Sequence, residues 1–205
     1  DRLCIGDNLR KNFGYAALSQ IYHELGIHTF LINRQRHSKE QYDSNTIMKM
    51  LVYSRLLFPA SKKSFYDSRE RFFENTEYSL DDVYRCLSFL DKHRENLQIW
   101  MNDRIKKIYG RDTSLIYYDV TNYYFETDEQ NDFLRKGVCK EHRPNPIVQM
   151  GLFFDNKGIP ITYELFPGNT NDCLTYRPNL GRIKKQFDLG RVITVADKGM
   201  TTGDN

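Results

Sequence analysis

With 205 residues, 40% hydrophobic and 14% aromatic, the chain has enough apolar surface for a packed core and the length of one domain, or one with a smaller companion. That aromatic content excludes disorder for most of the chain, and no apolar run reaches the ~18 residues of a membrane-spanning helix. A formal net charge of +3 permits nucleic-acid binding without arguing for it.

The opening DRLCIGDNLR has neither the apolar stretch of a secretory signal nor a Met, which reads as a cytosolic chain whose start has been cut. Residues 1–112 carry 19 Lys and Arg against 15 Asp and Glu, and their apolar residues recur with helical spacing. Leu18, Ile21, Tyr22 and Leu25 form a stripe stopped by Gly26, a C-terminal glycine. Ile47, Met48, Leu51, Val52 and Leu56 form a second, ending near Pro59. Ser79 with Asp82 three residues on resembles a capping box and starts a helix expected to bury Leu80, Val83, Tyr84, Leu87 and Leu90. Leu97, Met101, Ile105 and Ile108 close the helical region at Gly110.

Residues 113–205 carry 11 basic against 12 acidic residues, and the period shortens. TSLIYYDVTNYYFE is rich in β-branched and aromatic residues, with a strand expected over 113–120. Strands are also expected over 147–155 and 159–167, separated by the turn Asn156-Lys157-Gly158. A helix over 174–187 and a buried strand over 191–197 complete the pattern. The fold class is α+β: a helical region, 1–112, whose stripes could serve DNA binding, dimerisation or plain core, then a mixed-sheet domain, 113–205.

Four scattered cysteines suit reduced thiols better than a disulfide framework. Cys139 and His142 have a metal-like spacing, but a structural zinc site needs four ligands and no second pair exists. Asp119 lies inside a hydrophobic strand, and Asp197 lies where a strand emerges into a loop. Two such carboxylates converging from neighbouring strands can hold Mg²⁺ and support phosphodiester chemistry. An Asp after a strand is also a common turn former or helix cap, and that alternative stays open on spacing alone.

The segments YYDVTNYYFE, LRKGVCKEHRPNPIVQMGLFFDNKGIPITYELFPGNTND and RVITVADKGM resemble the catalytic core of bacterial insertion-sequence DDE transposases. The closest subgroup carries a Tyr-x2-Arg-x3-Glu-x6-Lys signature, and the resemblance runs from about Ser79 to Gly203. It implies an RNase H-like mixed sheet whose first three strands form an antiparallel meander. It further implies two Mg²⁺ or Mn²⁺ ions, with Asp119 and Asp197 as catalytic and metal-binding residues. The signature's Glu, the third acidic residue, is not found after Asp197, so the expectation is a partial core truncated at both ends that cuts DNA poorly or not at all. Lys198 stands where the family often has Arg. The implied activity of the parent enzyme is metal-dependent DNA cleavage and strand transfer, with no His or Cys nucleophile. Implied partners are double-stranded transposon ends and target DNA, with a homodimer as a candidate assembly, in a bacterial cytoplasm at the nucleoid and away from membranes.

Two basic clusters could hold DNA: Arg34, Arg36, His37 and Lys39, and Arg135, Lys136, Lys140, His142 and Arg143 between the first two strands. Clusters this small are also ordinary solvated surface. Tyr117, Tyr118, Tyr123 and Tyr124 could stack on bases, though alternation would turn half of them inward. The rival readings are an inactive DNA-binding remnant, an RNase H-like nuclease without strand transfer, and an interaction module with structural aspartates.

Overall fold

The computed structural model of the chain describes residues 11–74, 76–137, 145–170, 180–181, 183–187 and 193–196, the last four by backbone alone. Two compact units divide between Arg104 and Ile105, ahead of the change in texture at Thr113.

In the first unit, α1 (Tyr15–Glu24) and α2 (Ile27–Gln35) are joined through Gly26, which adopts the left-handed conformation (φ 66°). Gly26 thus ends one helix, as its position in the sequence predicts, and starts another that the apolar spacing does not reveal. The α1 carbonyls left open at this junction have partners on α6 (Arg94–Tyr109). Trp100 Nε1 donates to Leu25 O (3.0 Å) and Arg104 Nη2 to Glu24 O (2.6 Å).

Helix α3 (Ser44–Leu57) starts at Asp43, whose carboxylate accepts from the N–H groups of Asn45 (2.9 Å) and Thr46 (3.2 Å). It is buried on two sides. Met50 and Tyr53 join a core with Tyr15, Tyr22, Phe30, Leu31, Phe72 and Phe89, while Ile47 joins a second with Tyr42, Val83 and Cys86. A short helix, α4 (Lys62–Asp67), and a 3-10 turn (Arg69–Arg71) lead to α5 (Leu80–Lys92). Four expected core residues, Ile21, Leu56, Tyr84 and Ile108, are exposed instead. On α5 the buried line is Val83, Cys86 and Phe89, a rotation of the expected face that turns Tyr84 outward.

The expected capping box at Ser79 is complete. Ser79 Oγ accepts from Asp82 N–H (3.1 Å), and the Asp82 carboxylate accepts from Ser79 N–H (2.8 Å). That backbone hydrogen bond, then the one from the Ser79 hydroxyl, holds the Asp82 pKa below its ordinary value. A depressed carboxylate stabilises the fold above its unfolded pKa of about 3.9 and ceases to do so as pH falls through the folded value. Replacing Asp82 with Asn is therefore expected to cost up to about 1 kcal/mol at neutral pH, with the difference from wild type shrinking below about pH 4. Urea titrations of both proteins across that range check it.

The second unit contains β1 (Leu115–Tyr124), β2 (Ile147–Phe154), β3 (Pro160–Pro167) and β4 (Ile193–Ala196), in the spatial order β3-β2-β1-β4. The first three form an antiparallel meander and β4 pairs with β1 in parallel. The fold is therefore α+β, and these are the strands the sequence predicts. β1 runs on to Tyr124, beyond the expected 120, because its partner β2 continues pairing as far as Ile147. Of the helix expected over 174–187, residues 180–181 and 183–186 are helical, with Ile183 and Phe187 buried, and 174–179 lie outside the described residues. No described helix is long and apolar enough to cross a membrane.

Candidate functional site

Alternation along β1 sends Ile116, Tyr118 and Val120 into the core and leaves Tyr117, Asp119, Thr121 and Tyr123 on the exposed face. Asp119 stands opposite Leu152 of β2, which in turn pairs with Tyr163 of β3. The Asp119 side chain is exposed, so its oxygens are open to solvent. Among the described residues, no side chain hydrogen-bonds or ion-pairs with it, and no group of three His, Cys, Asp or Glu is gathered to hold a metal ion.

The residues beside Asp119 are firmly held. The Tyr118 ring packs against Phe153, with centroids 4.4 Å apart, and lies across Gly151. A Cβ at Gly151 would sit 2.8 Å from Tyr118 Cζ, so glycine is what lets the ring cross β2. On its other edge β1 pairs Tyr117 with Val195 and Tyr118 with Ala196. Asp119 is the next β1 residue, and Asp197, next after Ala196 in the chain, lies outside the described residues.

The connection between β1 and β2 carries the second basic cluster. Arg135 forms an antiparallel bridge with Ile147: Arg135 N–H donates to Ile147 O (3.2 Å) and Ile147 N–H to Arg135 O (2.8 Å). The Arg135 guanidinium lies 3.8 Å from the exposed Asp132 carboxylate, and Lys136 is exposed. Lys140, His142 and Arg143, with Cys139, lie outside the described residues. Among the tyrosines considered for base stacking, Tyr118 alone is buried; Tyr117, Tyr123 and Tyr124 are exposed. The expectation that half would turn inward is corrected, because β1 loses its buried alternation at its C-terminal end.

Of the four cysteines, Cys86 lies among the described residues. Cys86 is free and buried, and burial, with Asp43 and Glu40 adding to it, pushes its thiol up to about 12. It is protonated at neutral pH and no nucleophile.

One charged pair escaped the sequence reading. Arg111 and Asp155, with side chains 2% and 0% exposed, approach to 3.4 Å at the β2–β3 turn. Asp155 Oδ1 accepts from the N–H groups of Lys157 and Ile159, both at 2.9 Å. Arg111 also donates to Ile159 O (3.4 Å) and Pro160 O (3.1 Å). Burial lowers the Arg111 pKa, and Asp155 counteracts part of that. With both its oxygens engaged and no exposure, Asp155 is a turn-forming residue and no metal ligand. An Asp directly before Asn-Lys-Gly was a usable local signal for the turn; nothing local marked Arg111 as its partner.

No protein-family model and no curated protein matches the chain. Among solved structures it is similar to the pre-cleavage Mos1 transpososome, with 14% identity over 82% of this chain and 56% of that chain and a TM-score of 0.31. It is similar to the Mos1 transposase paired-end complex with left transposon end, at 15% identity, 81% and 55% coverage and a TM-score of 0.31. The corresponding values for the Mos1 strand transfer complex are 15%, 78%, 52% and 0.29. The chain thus spans about half the length of these transposase chains.

Proposed function

We propose that the chain is part of a DDE transposase of a bacterial insertion sequence, with Asp119 and Asp197 as two of its metal-binding carboxylates. The observation that carries this reading is the strand arrangement. β1 is interior, its exposed face presents Asp119, and β4 runs parallel beside it and ends one residue before Asp197. Tyr118 and Ala196 are paired, and in the sequence each is followed directly by one of the two aspartates.

The donor set suits the ion. Carboxylate oxygens are hard ligands, and Mg²⁺ or Mn²⁺ held by one or two of them completes its shell with water and substrate phosphate. An ion so held supplies Lewis-acid charge at a phosphodiester. The protein's part is to fix the carboxylate on a strand whose neighbours are packed, so that little reorganisation accompanies binding. The proposed substrates are double-stranded transposon ends and target DNA, with Arg135, Lys136, Lys140, His142 and Arg143 as backbone contacts and a homodimer as the assembly.

Asp119→Asn is expected to weaken Mn²⁺ binding at least about tenfold, or about 1.4 kcal/mol, read from the spin-resonance signal of the free ion. Unchanged affinity in a folded variant would make Asp119 structural and remove the basis of the reading. Joining of a pre-cleaved duplex end to target DNA separates a transposase from a hydrolytic nuclease, which leaves only hydrolysed ends.

A further inference from the structure

Within the helical unit, a surface groove of about 630 Å³ brings together two segments far apart in sequence. Arg34, His37 and Lys39 come from the end of α2 and the residues after it, and Arg85, Lys92 and His93 come from α5 and its C-cap. We propose that this groove seats the phosphate backbone of duplex DNA. The inference rests on the transposase reading only in choosing DNA among polyanions.

The charge balance supports it. Glu40 is the acidic residue that lines the groove. Arg85 is already engaged by Asp81 (3.0 Å) and Asp82, so it adds little net charge. Arg34, Lys39 and Lys92 have no carboxylate partner among the described residues, and all three are exposed. Arg34 lies over the Phe30 ring at 5.3 Å, which orients its guanidinium without neutralising it. The floor is rigid: Phe89 is buried in the core and meets the His93 ring edge-on at 4.8 Å.

The layout suits an extended ligand better than a small anion. Arg85, Ser88 and Lys92 share one face of α5, and seven residues of helix rise about 10 Å. Measured along the duplex axis, that distance covers about three phosphates of one strand, at about 3.4 Å of axis each. Basic side chains on both sides of a groove track a backbone, whereas a single phosphate would need them converging on one point.

The test is anisotropy of a fluorescein-labelled mixed-sequence duplex with the full chain, titrated across salt concentrations. Lys39→Ala/Lys92→Ala is expected to bind at least about tenfold more weakly at low salt, with a log–log salt slope shallower by about 1.8, or about 0.9 per lost phosphate contact. Lys39→Arg/Lys92→Arg should restore both quantities. The lysines are exposed, so a melting curve matching wild type shows that folding is intact. An unchanged affinity and slope in the double Ala variant overturns the proposal, as does a wild-type chain that does not bind the duplex. Tighter binding of an RNA duplex of the same sequence, lost in the double Ala variant, overturns it in favour of RNA. Loss of Mn²⁺ binding in Asp119→Asn alongside an unaffected double Ala variant would remove the groove and leave the transposase reading standing. The opposite pair of results would leave the groove alone.

Discussion

Asp155→Ala is expected to destabilise the chain by about 3–5 kcal/mol in urea unfolding, because it strands a buried guanidinium. Arg111 would keep its hydrogen bonds to Ile159 O and Pro160 O, but no opposite charge would offset its desolvation. The N–H groups of Lys157 and Ile159 would lose their shared acceptor as well. Asp155→Asn keeps an oxygen for those two donors and should cost less than Ala. Arg111→Met combined with Asp155→Ala should recover much of the loss, since an apolar replacement of a buried pair is often near neutral. Adding the two single costs should therefore overshoot the double variant by more than about 1 kcal/mol. Simple additivity would show that the pair is not coupled and would refute the account.

Gly168→Ala is expected to be nearly as damaging, about 3 kcal/mol, with a fall in Tm of roughly 12–20 °C for a unit of this size. A Cβ there would press into the carbonyl oxygens of Ile147 and Arg135. Both oxygens are already acceptors in the Arg135–Ile147 bridge, and Gly168 N–H itself donates to Phe133 O (3.1 Å). Neither carbonyl can retreat without opening that bridge, so the damage should spread to the loop carrying Arg135 and Lys136. Faster amide exchange at Arg135 and Ile147 in the variant would show it; a variant as stable as wild type would mean the close approach is easily relaxed.

The sheet was more legible in the sequence than the helical unit, for a physical reason. A strand declares its inward face by simple alternation, and Asn156-Lys157-Gly158 marks a turn whose Gly158 takes φ 76°. In the helical unit α3 is covered on two sides, so its apolar residues do not form one stripe. Tyr53 and Met50 face one core, Ile47 the other, and Leu56 neither. Helix α2 is hidden in the sequence because Gly26 marks a helix end more plainly than a helix start. Asp119 could be placed from the sequence because strand alternation alone sets its exposure. The groove could not be, since Lys39, after α2, and Lys92, on α5, come to line it only through tertiary packing.

The pairing pattern of the sheet also dictates an order of assembly. β2 and β3 are joined by a short turn and can pair soon after both leave the ribosome, since closing a small loop costs little entropy. β1 and β4 pair Leu115 with Ile193, so that ladder must wait for the intervening chain. Until then β1 offers one unpaired edge and a row of solvent-facing tyrosines during synthesis. The strand that presents Asp119 therefore keeps an open edge until β4 has been made, and through that interval it is open to pairing with a wrong neighbour.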